Sequence, residues 1–296
     1  SQWSERMGYP ITCIGVPKTI DNDLPHTDCC PGFGSVAKYV ATSIREAALD
    51  VESMAATSTK VFILEVMGRH AGWIAGAAGL AQTDEHPAPH IILFPERTFD
   101  RDTVMAKIRE TVESQGFCAI VASEGIKDAD DRFVAETGTR DAFGHAQLGG
   151  VAQRLAEMVR DDLGYKYHYA IADYLQRAAR HIASQTDVDQ AYALGKHAAE
   201  LAHQGHNAVM PVIVRTADQP YAYRLDSVPL SEVANIEKPM PDDYITADGF
   251  GITEAARTYF GPLIEGEAFP PFHNGLPDYV RLKYRLIEPK LPPFAV

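Results

Sequence analysis

Apolar residues along this chain come in two alternating patterns. Short unbroken runs stand at 11–16, 61–66, 91–94, 117–122, 167–171 and 209–214. Runs of that length bounded by Gly, Pro and Asp predict buried strands. Between them Val36, Val40, Ile44, Ala47, Val51 and Met54 recur at spacings of three or four, which predicts an amphipathic helix. Segments 101–114, 149–163 and 184–203 read as helices too, and the Ala-rich stretch 72–82 as another. Strands alternating with helices predict an α/β fold, a parallel sheet covered by helices on both faces. In such sheets ligands bind at the loops after the carboxyl ends of the strands. That rule points to 17–34, 67–73, 95–99, 123–128 and 172–177. After residue 226 the periodicity weakens, and 286–296 contains Pro289, Pro292 and Pro293. The region predicts an extended C-terminal segment.

The bulk composition narrows the function. The chain has 296 residues, 46% hydrophobic and 23% charged, enough for two globular domains. No apolar run approaches the roughly 18 residues of a membrane helix, and Ser1 is followed by no signal-peptide pattern. The net charge of −13 disfavours nucleic acid and acidic membranes as partners. It also repels phosphorylated substrates, so any such ligand needs local cations. Cys13, Cys29, Cys30 and Cys118 lack CxxC spacing and predict reduced thiols in a cytoplasmic protein.

Four of the loops carry candidate chemistry. Pro17-Lys18-Thr19-Ile20-Asp21-Asn22-Asp23 puts two carboxylates, an ammonium and a hydroxyl together. Asp21 and Asp23, at i and i+2, share a face if the segment is extended. Such a pair suits a general base with a tuning neighbour; a polar Asx turn is the plainer alternative. Met67-Gly68-Arg69-His70-Ala71-Gly72-Trp73 follows a strand and precedes a helix. Its glycines admit close backbone approach and its arginine suits a phosphate, although Gly and Arg are common in such loops. Ser123-Glu124-Gly125 offers a carboxylate for sugar hydroxyls or merely an exposed acid, and Tyr174-Leu175-Gln176-Arg177 offers a phosphate grip.

In this order and at these spacings the four loops resemble the phosphofructokinase family. Pro17 to Asp23 is similar to its TIDND loop, Met67-Gly68-Arg69 to its sugar-phosphate loop, Ser123-Glu124-Gly125 to its sugar-hydroxyl loop and Tyr174 to Arg177 to its 6-phosphate loop. Pro31-Gly32-Phe33-Gly34-Ser35 also matches. The likeness covers 11 to about 226 well and the rest more loosely. It implies two Rossmann-like domains: a sugar-phosphate domain over 33–175, a remainder of the phosphoryl-donor domain from 1–32 with 176–226, and a C-terminal extension over 227–296. It implies Asp21 as the base for the 1-hydroxyl of fructose 6-phosphate. Thr19 would hold that region, Asp23 would support Asp21, and Lys18 would stabilise the transferring phosphate. Ile20, Met67, Gly68, Arg69, Glu124, Tyr174, Leu175, Gln176 and Arg177 would contact substrate. Lys60 and His168 stand where ATP-using members carry arginines that reach a neighbouring subunit, implying a homodimer or homotetramer with shared sites. Mg²⁺ is the implied cofactor, its main ligand expected in a Gly-Gly-Asp loop with no counterpart in this chain; no metal ligand is assigned here.

Tyr174 where many ATP enzymes have His, and Ala178-Ala179 where Gly-Gly is usual, resemble the diphosphate-dependent branch. The expected reaction is reversible transfer from diphosphate to fructose 6-phosphate. An ATP-dependent enzyme of the same fold and a catalytically silent regulatory subunit remain as alternatives. The absence of GxGxxG between a strand and a helix removes a dinucleotide dehydrogenase.

Overall fold

Four of the predicted strands pair in one parallel sheet. The computed structural model describes residues 2–9, 11–140, 146–148, 150–288 and 290. In chain order these form α1 (Gln2–Met7), α2 (Phe33–Met54), β1 (Val61–Val66), α3 (Trp73–Ala77), β2 (Ile91–Leu93), α4 (Arg101–Gln115), β3 (Cys118–Ser123), β4 (Glu136–Arg140), β5 (Ala146–Leu148), α5 (Val151–Leu163), β6 (Tyr167–Ile171), α6 (Asp173–Ala178), α7 (Gln185–His203), β7 (Val209–Asp218), β8 (Tyr221–Pro229) and α8 (Glu254–Phe260). The sheet order is β2-β3-β1-β6, with Leu64 opposite both Val121 and Ala170. Alternation across the pleat sends Val61, Ile63, Cys118, Ile120 and Ala122 to the side of α4 and α5. Leu64, Val66, Ala119 and Val121 face α2 and α3. Burial on both faces is why these strands read as unbroken apolar runs. No helix among the described residues is long and apolar enough to cross a membrane.

The helices start and stop where local chemistry allows. The Asp100 carboxylate accepts from Thr103 N–H at 2.8 Å to cap α4, which ends at Gly116 with φ 86°. The Ser184 hydroxyl caps α7 in the same way. Val36, Val40 and Ile44 form the buried stripe of α2.

Several expectations need correction. Segment 11–16 is not a strand: only Ile14 bridges in parallel to Val209, with Gly15 N–H on the Val209 carbonyl at 2.9 Å. One bridge without a ladder does not make a strand, and among the described residues nothing pairs on its other side. The strand at 209–214 runs on to Asp218 and returns as antiparallel β8, which the sequence reading missed. The 72–82 helix is α3 followed by a 3₁₀ turn, Ala78–Ala81.

The largest correction concerns the region after 226. It is not extended throughout: Met240, Ile245, Ile252, Ala256, Tyr259, Phe260 and Leu263 are buried in one core with Phe33 and Trp73. The rings of Tyr244, Tyr259 and Phe260 lie 6.1, 5.3 and 6.2 Å from that of Trp73. Ala256, Tyr259 and Phe260 sit on the seven-residue helix α8 and the others on 3₁₀ turns and loops, so no apolar period runs long enough to stand out. From Phe269 the chain is largely exposed. Of the proline tail, Pro289 and 291–296 lie outside the described residues.

Candidate active site

Adjacent strand ends place the first two candidate loops together. β1 and β3 run side by side to Val66 and Ser123. Glu124 N–H then donates to the Val66 carbonyl at 2.9 Å, and the Ser123 hydroxyl donates to the Gly68 carbonyl. Gly68 has φ 136°, which a side chain would strain. Gly125 packs on the Arg69 backbone so closely that a Cβ there would lie 2.1 Å from the Arg69 carbonyl oxygen. These contacts hold Arg69 and Glu124 at one edge of the sheet.

The aspartate loop reaches the same edge through its middle residue. Asn22 is fully buried at φ 58°, a conformation its short amide tolerates. Its side chain donates to Tyr259 Oη at 2.9 Å and accepts from Cys30 N–H at 3.0 Å. With Asn22 locked inward, Asp21 and Asp23 both line the cleft. The Thr19 hydroxyl accepts from Asp21 N–H at 3.1 Å and reaches Asp21 Oδ2 at 3.4 Å, so Thr19 orients the carboxylate.

The resulting open cleft of about 310 Å³ is lined by Asp21, Asp23, Met67, Arg69, His70, Ala71, Glu124 and Glu237. Burial pushes the Asp21 carboxyl above its ordinary range, and the neighbouring Asp23 charge adds to this; Thr19, Lys18 and Arg69 oppose it. Burial likewise raises Glu124, with Arg69 opposing. Lys18 is exposed beside the cleft and forms no ion pair with either aspartate. A half-buried carboxylate of raised proton affinity, next to a guanidinium, can accept a proton from a bound hydroxyl. Among the described residues no group of three or more His, Cys, Asp or Glu side chains is arranged to hold a metal ion.

The 6-phosphate candidates lie elsewhere. Residues 174–177 are not a loop; they lie on α6, directly after β6. Arg177, with Ile20, Gly32, Ser35, Gln176 and Arg180, lines a second cleft of about 280 Å³. Ile20 belongs to the aspartate loop, so the two clefts border the same segment. The Arg177 guanidinium stacks 4.0 Å from the Tyr174 ring. Gln176 is 2% exposed, and its side-chain oxygen accepts from Met67 N–H at 3.3 Å. It braces the arginine loop. Tyr174 and Leu175 are exposed and line neither cleft.

Lys60 sits at the opposite end of β1 from Arg69, and its ammonium donates to the Ala55 carbonyl. His168 is exposed on the edge strand β6. Neither lines either of these two clefts. Sequence reading missed His70 and Glu237. His70 was legible as the neighbour of Arg69; Glu237 stands in no motif and reaches the cleft only through the fold.

A family profile described as "Phosphofructokinase" matches residues 1–202. The chain belongs to the phosphofructokinase family. It is 62% identical over 296 residues to a pyrophosphate–fructose 6-phosphate 1-phosphotransferase of Halomonas elongata, covering 100% of this chain and 71% of that protein. The protein of the same name from Methylococcus capsulatus is 61% identical over 291 residues, or 98% of this chain and 69% of its own length. The crystal structure of a pyrophosphate-dependent phosphofructokinase from Nitrosospira multiformis superposes with a TM-score of 0.91 at 57% identity, covering 100% of this chain and 71% of that one. Within this family the cleft at Asp21 and Arg69 is the candidate site of phosphoryl transfer.

Proposed function

We propose that this phosphofructokinase transfers a phosphoryl group reversibly from diphosphate to the 1-hydroxyl of fructose 6-phosphate, giving fructose 1,6-bisphosphate and phosphate. The observation that carries the reading is the joint placement of Asp21, Arg69 and Glu124 in one cleft, with Asp21 raised in proton affinity. High identity to relatives named for this reaction supports the choice of donor.

Phosphoryl transfer passes through a loose transition state, so positioning and charge dominate. In this reading Asp21 accepts the hydroxyl proton while Thr19 holds its carboxylate. Arg69 and Met67 contact the sugar phosphate, Glu124 takes furanose hydroxyls and Arg177 binds the 6-phosphate in the adjoining cleft. Lys18, unpaired with carboxylates, lies free to reach the diphosphate.

The carboxylates that line the cleft suit Mg²⁺, a hard cation that takes one or two carboxylates together with substrate phosphates and water. Asp23 would help hold it through bound water, leaving Asp21 free as the base, and the ion would neutralise charge on the donor. Lys60 and His168, outside the lining of both clefts, would serve a second copy in a homodimer or homotetramer. Residues 33–175 would form the sugar-phosphate domain and 1–32 with 176–226 the donor side, in a cytoplasmic enzyme.

The test is turnover of fructose 6-phosphate with Mg²⁺ and either diphosphate or ATP. Asp21→Asn should lower kcat by about 10²–10⁴-fold, the worth of a general base, with little change in sugar-phosphate affinity. Turnover with ATP alone removes the donor assignment; an inert wild type removes the catalytic reading.

A further inference from the structure

We propose that Lys238 and Glu96 are positioning residues that tie the aspartate loop and the arginine loop of the cleft into one frame. The inference rests on the reaction proposed above and assigns two residues outside its motifs.

Lys238 belongs to the segment that brings Glu237 to the cleft. Its backbone N–H donates to the Asp23 carbonyl at 2.7 Å. Its ammonium, buried, donates to the carbonyls of Thr27 at 3.0 Å and Asp28 at 3.1 Å. Three bonds from one residue thus fix both ends of the stretch that follows Asp21. The same ammonium lies 5.0 Å from the centre of the Trp73 ring, and Trp73 Nε1–H donates to the Lys238 carbonyl at 2.8 Å. Trp73 opens α3 directly behind the arginine loop. A largely desolvated ammonium is costly unless it is well bonded, and among the described residues no carboxylate hydrogen-bonds to this one: its partners are two loop carbonyls and a ring. A cation spent on backbone carbonyls is spent on holding that backbone in place.

Glu96 completes the frame from the other side. One carboxylate oxygen accepts from Gly72 N–H at 2.8 Å and from Met240 N–H at 2.9 Å. Gly72 ends the arginine loop, and Met240 lies two residues beyond Lys238. The second oxygen is buried without a hydrogen-bond partner. It lies 2.6 Å from where a Cβ on residue 72 would stand, so a side chain there would push the carboxylate aside. Glu96 therefore joins the arginine loop to the Lys238 segment, and Lys238 joins that segment to the aspartate loop. Removing either link leaves Asp21 and Arg69 on loops that move independently.

The two links predict different kinetic signatures. Lys238 grips the base loop, so Lys238→Met, close in length and without charge, should lower kcat with diphosphate by about 10–100-fold, as a displacement near 1 Å does, while KM for fructose 6-phosphate stays near wild type. Glu96 grips the arginine loop, so Glu96→Ala should raise that KM about tenfold, roughly one charged hydrogen bond, with a smaller change in kcat. Glu96→Gln keeps the accepting oxygen and should restore wild-type KM. If Lys238→Met does not fold, Trp73→Phe removes the indole bond to Lys238 along with some core volume, and should lower kcat in the same sense while KM for fructose 6-phosphate holds. Melting temperatures measured alongside confine the comparison to folded protein. Wild-type kcat and KM in both folded variants overturns the proposal, as does an equal loss of both parameters in both. An inactive wild type fails the reaction itself, which is a separate result.

Discussion

A single methyl group at residue 125 tests whether the cleft depends on the contact between its two strand-end loops. An ideal Cβ on Gly125 would lie 2.1 Å from the Arg69 carbonyl oxygen and 2.6 Å from both the Arg69 carbonyl carbon and the Gly68 oxygen. Ordinary contact begins near 3.4 Å. All three neighbours are backbone, so no side-chain rotation relieves the clash, and the loops must part by about 1 Å or more. Gly125→Ala should therefore carry Arg69 away from Glu124 across the cleft. A misplacement of that size costs about 10²-fold in rate, and the strain should lower stability by about 1–3 kcal/mol. Steady-state turnover of fructose 6-phosphate with diphosphate, with a melting curve on the same sample, reads both. Gly195→Ala is the control: it lies within α7 with nothing within 4 Å of its Cβ, and should stabilise by about 0.5–1 kcal/mol with unchanged kinetics. Gly125→Ala kinetics within about twofold of wild type, well under the ~1.4 kcal/mol of one decade, would refute the reasoning.

Other variants probe the electrostatics. The Asp23 charge helps raise the proton affinity of Asp21; a base works only when ionised, so activity is lost as pH falls through the Asp21 titration. Asp23→Asn should move that acid limb of kcat/KM to lower pH, and a limb that stays or moves up contradicts the coupling. Lys18→Met should lower kcat or raise KM for diphosphate while KM for fructose 6-phosphate and the melting temperature hold. Lys18→Arg should restore little, because a planar fork does not replace a compact ammonium; equal loss of both substrates and of stability would make Lys18 a loop strut.

The apolar pattern by itself determined the α/β class and the four sheet strands: β1, β2 and β3 are buried on both faces and stand out as apolar runs in one dimension, whereas β6 is an exposed edge strand marked by its tyrosines and isoleucine. The Arg69 and Glu124 loops were legible for a related reason: the parallel strands β1 and β3 deliver their carboxyl-end loops to one edge; the Asp21 loop follows no strand and was legible only through its local chemistry. What the pattern could not carry depended on contacts between distant segments. The burial of Met240 to Leu263 beside Trp73 was hidden because irregular turns have no period and the one helix among them, α8, spans only seven residues. Arg177 entered a separate cleft because residues 174–177 continue as helix instead of reaching back over the sheet. Gln176, conspicuous in a phosphate-binding motif, is instead buried against the Met67 backbone. Only the tertiary structure brought Glu237 to the cleft and set Lys238 and Glu96 behind it. A hydrogen bond from Lys238 N–H to Asp23 spans more than two hundred residues of chain, and no spacing rule along the sequence encodes a contact that packing alone creates.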